Sequence, residues 1–506
     1  MTSRNAILAP VYNEQPGPVF ARLQVMIESL VEQGAAGRFD LFVLSDTRDP
    51  VIASLEREHH RALQARFVGI ARIFYRRRAV NTDRKAGNIA EWVRRFGGAY
   101  DHMIVLDADS LMSGDALARL ATAMEGAPGC GLIQTVPTIV NGRTLFARTE
   151  QFASRLYGPM FARGLAWWSG SESSYWGHNA IIRVAAFAEQ AGLPHLRGPR
   201  PFGGHIMSHD FVEAALMRRG GWEIRLAPEI GGSYEEGPPT LVDQIVRDRR
   251  WCQGNLQHIG VLSAKGLHPL SRFHLLRGFS TYLTAPLWLG LLTIGLLLAC
   301  FPGLGGAAPS GGLPYGAAAL WAVFGASLAF LLAPKLMAVA LVVREGAARG
   351  FGGAGRLLAG VAVEVVVSSL TAPIVLLAQT AAILQIVSGQ DSGWAAQRRD
   401  AARLSLRGAL RLHTVEALLG LTLLTLCLVF EPAALPWVAV PAVALLVAFA
   451  LSALTARRGV STTGSSPMTA RARRRIAGGL RISGVVSKPR SPIGRAVSAD
   501  SAKATS

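Results

Sequence analysis

The stretch DHMIVLDADS, residues 101–110, decides how this chain reads. It opens on polar residues, runs through an apolar core and ends on two aspartates one residue apart. A short apolar run bounded by polar residues is the pattern of a strand buried on both faces. Similar stretches precede it: NAILAPVYN near the start, FDLFVLSDT at 39–47 and ARIFYRRR at 71–78. Helical patterns such as VFARLQVMIESLVEQ and NIAEWVRRFGG lie between them. Strands alternating with helices predict an α/β domain around a mainly parallel sheet. Such sheets bind ligands beyond the carboxyl ends of their strands. Asn13, Glu14, Asp46, Asp107 and Asp109 all fall at such ends.

No GxGxxG or GxxxxGK[ST] loop follows these strands, so dinucleotide and P-loop readings lose support. The glycines of RRFGGAYD follow a helix and read as its cap and turn. In LDADS, strand alternation points Asp107 and Asp109 the same way. Two converging carboxylates repel unless a cation or hydrogen-bond donors meet them. A hard divalent ion bridging carboxylate and diphosphate oxygens satisfies this; a plain Asp–Ser turn is the alternative. Further on, SYWGHNAIIR at 174–183 turns from aromatic and polar to apolar. Asp210 precedes the helical pattern FVEAALMRRG. It reads as a cap or first-turn acid, or as a general base aimed into the cleft. Both roles coexist only if its second oxygen faces a substrate.

The two halves of the 506-residue chain differ. Residues 1–270 alternate charged and apolar segments, whereas 281–455 hold long runs with almost no charge. Spans are expected at 282–300, 315–343, 413–430 and 435–453. Lys335 inside the second is costly in lipid and must face protein, water or the interface. Segment 357–387 contains Glu364, Pro373 and Gln379, and is long for one span and short for two. Basic loops flank it, REGAARGFGGAGR before and QRRDAARLSLRGALR after. With both on the cytoplasmic side, the segment enters and returns or lies along the interface. Many of the arginines behind the net charge of +19 lie between apolar runs or just after them, and nothing resembling a nucleic-acid motif accompanies them. Four cysteines without paired spacing argue against a disulfide framework or a cysteine zinc site. The start reads as a first strand, not a signal peptide. The arginine-rich tail 457–506 reads as disordered. The expected organisation is a soluble domain at 1–270, a membrane domain at 271–456 and this tail.

Taken in order, PVYNE, LSDT, RKAGNIAEW, LDADS, YWGHNAIIR, SHDFVEAALMRRGGW, GSYEEGPP and RDRRWCQGN resemble the processive, membrane-embedded glycosyltransferases of family 2, relatives of cellulose and hyaluronan synthases. Each motif alone is weak; their order and their link to membrane spans are specific. The likeness is greatest to the subgroup that makes the backbone of osmoregulated periplasmic glucans. It implies a GT-A-like domain, UDP-glucose as donor, Mg²⁺ or Mn²⁺ as cofactor and a β-1,2-linked product. Asp46 would contact uridine, with Asn13, Glu14 and Lys85 lining the nucleotide pocket. Asp107 and Asp109 match the DxD motif, with Asp109 as main metal ligand and Asp107 by the diphosphate. Asp210 matches the acid of the TED motif and would be the general base, although SHD departs from that triplet at two positions.

RDRRW corresponds to QxxRW. Arg250 would neutralise the departing diphosphate, and Trp251 would stack under an acceptor sugar. Arg247 stands where glutamine is usual, which leaves phosphate binding, acceptor binding or a salt bridge to Asp248 or a neighbouring acid open for it. Tyr175, Trp176, Gly177 and His178 are candidate acceptor contacts; the aromatics also read as ordinary core residues. Segment 388–400, with Trp394, stands in the place of a gating loop, or is a plain connector. Relatives carry membrane spans ahead of this domain, whereas this sequence starts almost at the first strand. The implied partners are the growing glucan, membrane lipid, periplasmic glucan-processing proteins and acyl carrier protein, with no nucleic acid. The implied location is a bacterial inner membrane, with the transferase domain cytoplasmic. Two alternatives keep part of this pattern: a family 2 enzyme making another polymer or glycolipid, and a non-catalytic membrane sensor or scaffold.

Overall fold

The computed structural model describes residues 2–301, 317–391, 393 and 405–458. Ten strands form two sheets. They are β1 (Asn5–Val11), β2 (Phe39–Ser45), β3 (Arg72–Arg77), β4 (His102–Val105), β5 (Leu111–Met112), β6 (Cys130–Thr135), β7 (Thr138–Val140), β8 (Ala180–Arg183), β9 (Glu223–Ala227) and β10 (Ser233–Glu236). The main sheet runs β3-β2-β1-β4-β8-β6-β9, and the small one β5-β10-β7. The four strands expected from the sequence are β1 to β4, and they pair in parallel. In the main sheet only β8 runs antiparallel, against both β4 and β6.

The soluble part also holds α1 (Pro16–Glu32), α2 (Pro50–Arg66), α3 (Arg84–Phe96), α4 (Gly114–Glu125), α5 (Leu145–Ser169), α6 (Val184–Gln190), α7 (His209–Arg219), α8 (Leu241–Gln257) and α9 (Ile259–Leu262). Alternate strand residues face opposite sides of the sheet. Ile7, Val43 and Ile104 pack with Met26 of α1 and Leu117 of α4. Leu8, Leu44 and Val105 pack with Ile89 and Trp92 of α3 on the other side. Both faces are therefore covered, as near-continuous apolar strands require.

The second half is helical: α10 (Pro269–Cys300), α11 (Ala317–Arg344), α12 (Ala354–Val387), α13 (Leu406–Leu412), α14 (Thr414–Phe430), α15 (Leu435–Leu446) and α16 (Ala448–Thr455). Helices α10, α11 and α12 are long and apolar enough to cross a membrane. The expected spans at 413–430 and 435–453 fall on bent pairs. Helices α13 and α14 meet at 68°, and residues 432–446 meet α16 at 61°. His413 sits at the first break, with Nε2 2.7 Å from Ser452 Oγ on α16.

Segment 357–387 lies inside α12, which runs unbroken past Pro373 without the return expected of a re-entrant segment. Its polar residues have partners that sequence could not supply. Both Glu364 oxygens accept from Lys335 Nζ of α11, at 2.7 and 2.6 Å, and Tyr157 of α5 donates to Glu364 at 2.8 Å. The two isolated costs of the sequence are one ion pair. Glu364→Ala strips Lys335 of its counter-charge, worth roughly 3–5 kcal/mol when a buried pair is broken from one side. The Tm of the detergent-solubilised protein should fall, and a Lys335→Met, Glu364→Leu double variant should recover most of the loss.

Candidate active site

The carboxyl edge of the main sheet gathers the polar residues. There β1 ends before Asn13, β2 before Asp46 and β4 before Asp107. Because β8 is antiparallel, its amino end lies at this edge, and Asn179 N donates to Val105 O at 2.7 Å. The loop 175–179 therefore meets the two aspartates. Beyond β4 the chain turns at once: Ser110 N donates to Asp107 O at 3.0 Å, and Ser110 Oγ accepts from Asp107 N at 2.9 Å. Asp107 and Asp109 thus sit in a turn and not in the strand, so pleat alternation does not orient them. Asp109 is buried, while Asp107 is substantially exposed.

Lys85 is aimed by a strained entry into α3. Asp83 and Arg84 both take left-handed φ values, 54° and 52°. A Cβ on Gly87 would stand 2.1 Å from Thr82 O, so this turn closes only around glycine. Lys85 Nζ then forms an ion pair with Asp107 and donates to Gly177 O at 2.8 Å. Gly177 itself has φ +91°, and a Cβ there would stand 3.2 Å from Asp210 Oδ2. Lys85, Asp107, Gly177 and Asp210 therefore converge.

Asp210 occupies the first turn of α7, two residues past Ser208 at the N-cap position, whose side chain makes no capping bond. Burial raises the pKa of Asp210, and Glu213 one turn on adds to this, while His209 and Lys85 oppose it. His209 Nδ1 lies 3.0 Å from buried Glu213. Burial alone would lower the pKa of His178, but Asp107 and the bond to Glu235 raise it to about 9.

Helix α8 carries RDRRW. Its amino end is capped by Thr240 Oγ1, which accepts from Asp243 N at 3.2 Å. Near its carboxyl end Gly254 presses on the start of α7, where a Cβ would stand 2.7 Å from Ser208 N. Gln257 Oε1 accepts from Met207 N and His258 Nε2 bonds to Ser208 O, both at 2.9 Å. Arg247 lies over the Trp251 ring at 4.3 Å and donates to Gln244 at 2.9 Å. Burial lowers its pKa, against the fields of Glu235, Asp248, Asp109 and Glu150. Burial also lowers the pKa of Arg250, and Arg247 and Arg84 add to this. Arg250, in the positive fields of Arg247 and Arg84, is suited to meet an anion.

Other expected residues have different surroundings. Asp46 is buried and paired with Arg78 through both oxygens, at 2.6 and 2.7 Å. Asn13 Oδ1 accepts from the backbone of Arg48 and Asp49, at 3.1 and 3.2 Å, and Glu14 accepts from Tyr12 N. Tyr175 is 1% exposed and packs in the core, in the fields of Glu213, Asp210 and Asp107. Trp176 is held by its backbone N donating to Gln134 at 3.0 Å. Trp394 lies outside the described residues. Arg78, Arg84 and Glu213 escaped the sequence reading. Nothing in the spacing of ARIFYRRRAVNTDRKAG tells which arginine returns to Asp46.

The donor set fits a hard divalent cation. Asp107 and Asp109 supply carboxylates within one turn. Among the described residues no three His, Cys, Asp or Glu groups form a ready cage.

A cleft of this kind, built on an α/β sheet and joined to apolar helices, defines a glycosyltransferase anchored in a membrane. Residues 6–190 match the model for glycosyl transferase family 2, and 102–341 that for glycosyl transferase family group 2. The glucans biosynthesis glucosyltransferase H of Xanthomonas euvesicatoria pv. vesicatoria is 49% identical over 470 residues, spanning 90% of this chain and 72% of that protein. Its namesake in Bradyrhizobium diazoefficiens is 52% identical over 433 residues, spanning 84% and 58%. The chain belongs to the glucans biosynthesis glucosyltransferase H family.

A base with a raised pKa loses activity at correspondingly higher pH. With Asp210 in the role of base expected from the sequence, transfer measured as initial rate against pH should decline as pH falls through a midpoint above the ordinary aspartate range. Asp210→Glu should shift this acidic limb.

Proposed function

We propose that the chain uses UDP-glucose to extend the β-1,2-linked backbone of osmoregulated periplasmic glucans, with its transferase domain on the cytoplasmic side of a bacterial inner membrane. The observation that carries this reading is the convergence of Asp210 with Lys85, Asp107 and Gly177 at one sheet edge. The relatives' name, glucans biosynthesis glucosyltransferase, supports the donor sugar and the product class.

Asp210 accepts the proton of an acceptor hydroxyl as its oxygen attacks the anomeric carbon. The bond from that carbon to the diphosphate breaks, and UDP leaves with the electron pair. One attack from the opposite face inverts the centre, turning an α-linked donor into a β-linkage. Arg250, in the field of Arg247 and Arg84, meets the charge that develops on the leaving diphosphate. Trp251, 48% exposed and fixed by Arg247, offers a ring to an acceptor sugar. Mg²⁺ or Mn²⁺ held by Asp107 and Asp109 would supply further charge neutralisation at the diphosphate. Asp46 and Arg78 together, with Asn13 and Glu14, form the floor on which a uridine would lie. Periplasmic glucan-processing proteins and acyl carrier protein belong to the same reading as partners.

Purified protein in lipid, given UDP-glucose and Mg²⁺, should release UDP and yield a β-1,2-linked glucan by linkage analysis. Absence of UDP release from folded protein would sink the donor assignment. Asp210→Asn should reduce transfer by roughly 10²–10⁴-fold, as loss of a general base does, while UDP binding by calorimetry stays near that of the unmodified chain. Unchanged turnover would remove Asp210 from the base role.

A further inference from the structure

Helix α8 has two working faces. With about 3.6 residues per turn, Arg247, Arg250, Trp251 and Gly254 fall on one side, toward the cleft and the start of α7. Ile245, Asp248, Cys252 and Leu256 fall on the opposite side. There Cys252 and Leu256 pack with Tyr282 of α10 and with Ala382, Ile383 and Ile386 of α12. Asp248 stands in the middle of this second face, between residues that serve the first. Tyr282 OH donates to its Oδ1 at 3.0 Å, and Gln379 Nε2 donates to its Oδ2 at 2.8 Å. One carboxylate thus takes a hydrogen bond from each of two membrane helices.

We propose that Asp248 is a positioning residue for transfer: held by Tyr282 and Gln379, it locks the rotation of α8 that presents Arg250 and Trp251 to the cleft. On this face the packing partners are mainly aliphatic, and the bonds of Gln257 and His258 hold only the last turn of the helix. Two directed bonds from separate helices hold its middle. A slip of one residue turns the helix by about 100° and takes Arg250 away from the diphosphate. Misplacement by about 1 Å already costs on the order of 10²-fold in rate. The inference rests on the roles given above to Arg250 and Trp251.

The test uses the full chain in lipid nanodiscs and two readouts. The first is steady-state turnover of UDP-glucose. The second is maleimide labelling of Cys252, located by mass spectrometry. Cys252 is 1% exposed, and burial pushes its thiol up to about 12, so the unmodified chain should resist labelling. Asp248→Ala should lower kcat by roughly 10–100-fold, leave KM for UDP-glucose within about twofold and raise Cys252 labelling severalfold. Asp248→Asn loses the same charge but keeps an acceptor for Tyr282, and Gln379 can turn its amide to accept from the new N–H. It should recover most of both readouts, which separates bond geometry from charge. Tyr282→Phe and Gln379→Ala should each fall between.

Unchanged kcat and protection in Asp248→Ala would overturn the proposal, and so would equal losses in the Ala and Asn variants. Should Asp248→Ala fail to fold, the Tyr282→Phe, Gln379→Ala double variant decides, and unmodified behaviour there overturns it. Should no variant, nor the unmodified chain, turn over UDP-glucose, the donor assignment fails, while Cys252 labelling still decides this inference.

Discussion

The grip of α8 on the turn before α7 is the contact on which the chemistry depends. Gly254 brings the helix against Ser208 closely enough that a methyl group would collide with backbone. Gln257 and His258 then bond the two residues that lead into α7. A helix bearing Arg247 and Arg250 and a helix bearing Asp210 are thereby joined directly. The first of them is seated on α10 and α12 through a separate face. Groups that must meet one substrate from opposite sides gain from such a joint, because rate falls steeply with small errors of position.

Charge is distributed in layers around that joint. Arg250 lies in the positive fields of Arg247 and Arg84, while Asp107, Glu235 and Asp210 lie toward the sheet edge, with Lys85 and His178 among them. A nucleotide diphosphate would relieve the first group, and a cation at Asp107 and Asp109 would release Lys85 from its pairing.

Farther into the apolar half, the same economy of charge holds the helices. Lys335 and Glu364 come from neighbouring helices and are bridged to the soluble part by Tyr157 of α5. Each residue alone would be expensive away from water, and together they orient α5, α11 and α12 with respect to one another.

The first four strands were legible because burial on both faces leaves a local signature, an apolar run closed by a turn residue, whereas the later, shorter strands and the order of the sheet were not. Local signals also mark the apolar runs of α10 and α11, and the residues at strand ends, since a strand end is also a local property. Other features depend on residues far apart in the chain. The antiparallel entry of β8, which brings Gly177 to Asp210, follows from pairing with β4 and β6. Tyr175 and Trp176 are adjacent and similar in the sequence, yet only the sheet's packing sends the first into the core. Asp46 finds Arg78, Glu364 finds Lys335, and Asp248 finds Gln379 across 131 residues. The sequence by itself determined the first four strands, the apolar runs of the second half and the short motifs with polar groups at strand ends, because periodicity and composition act within a few residues. Only the tertiary structure decided which of those groups meet, because pairing and burial are settled by distant segments brought together.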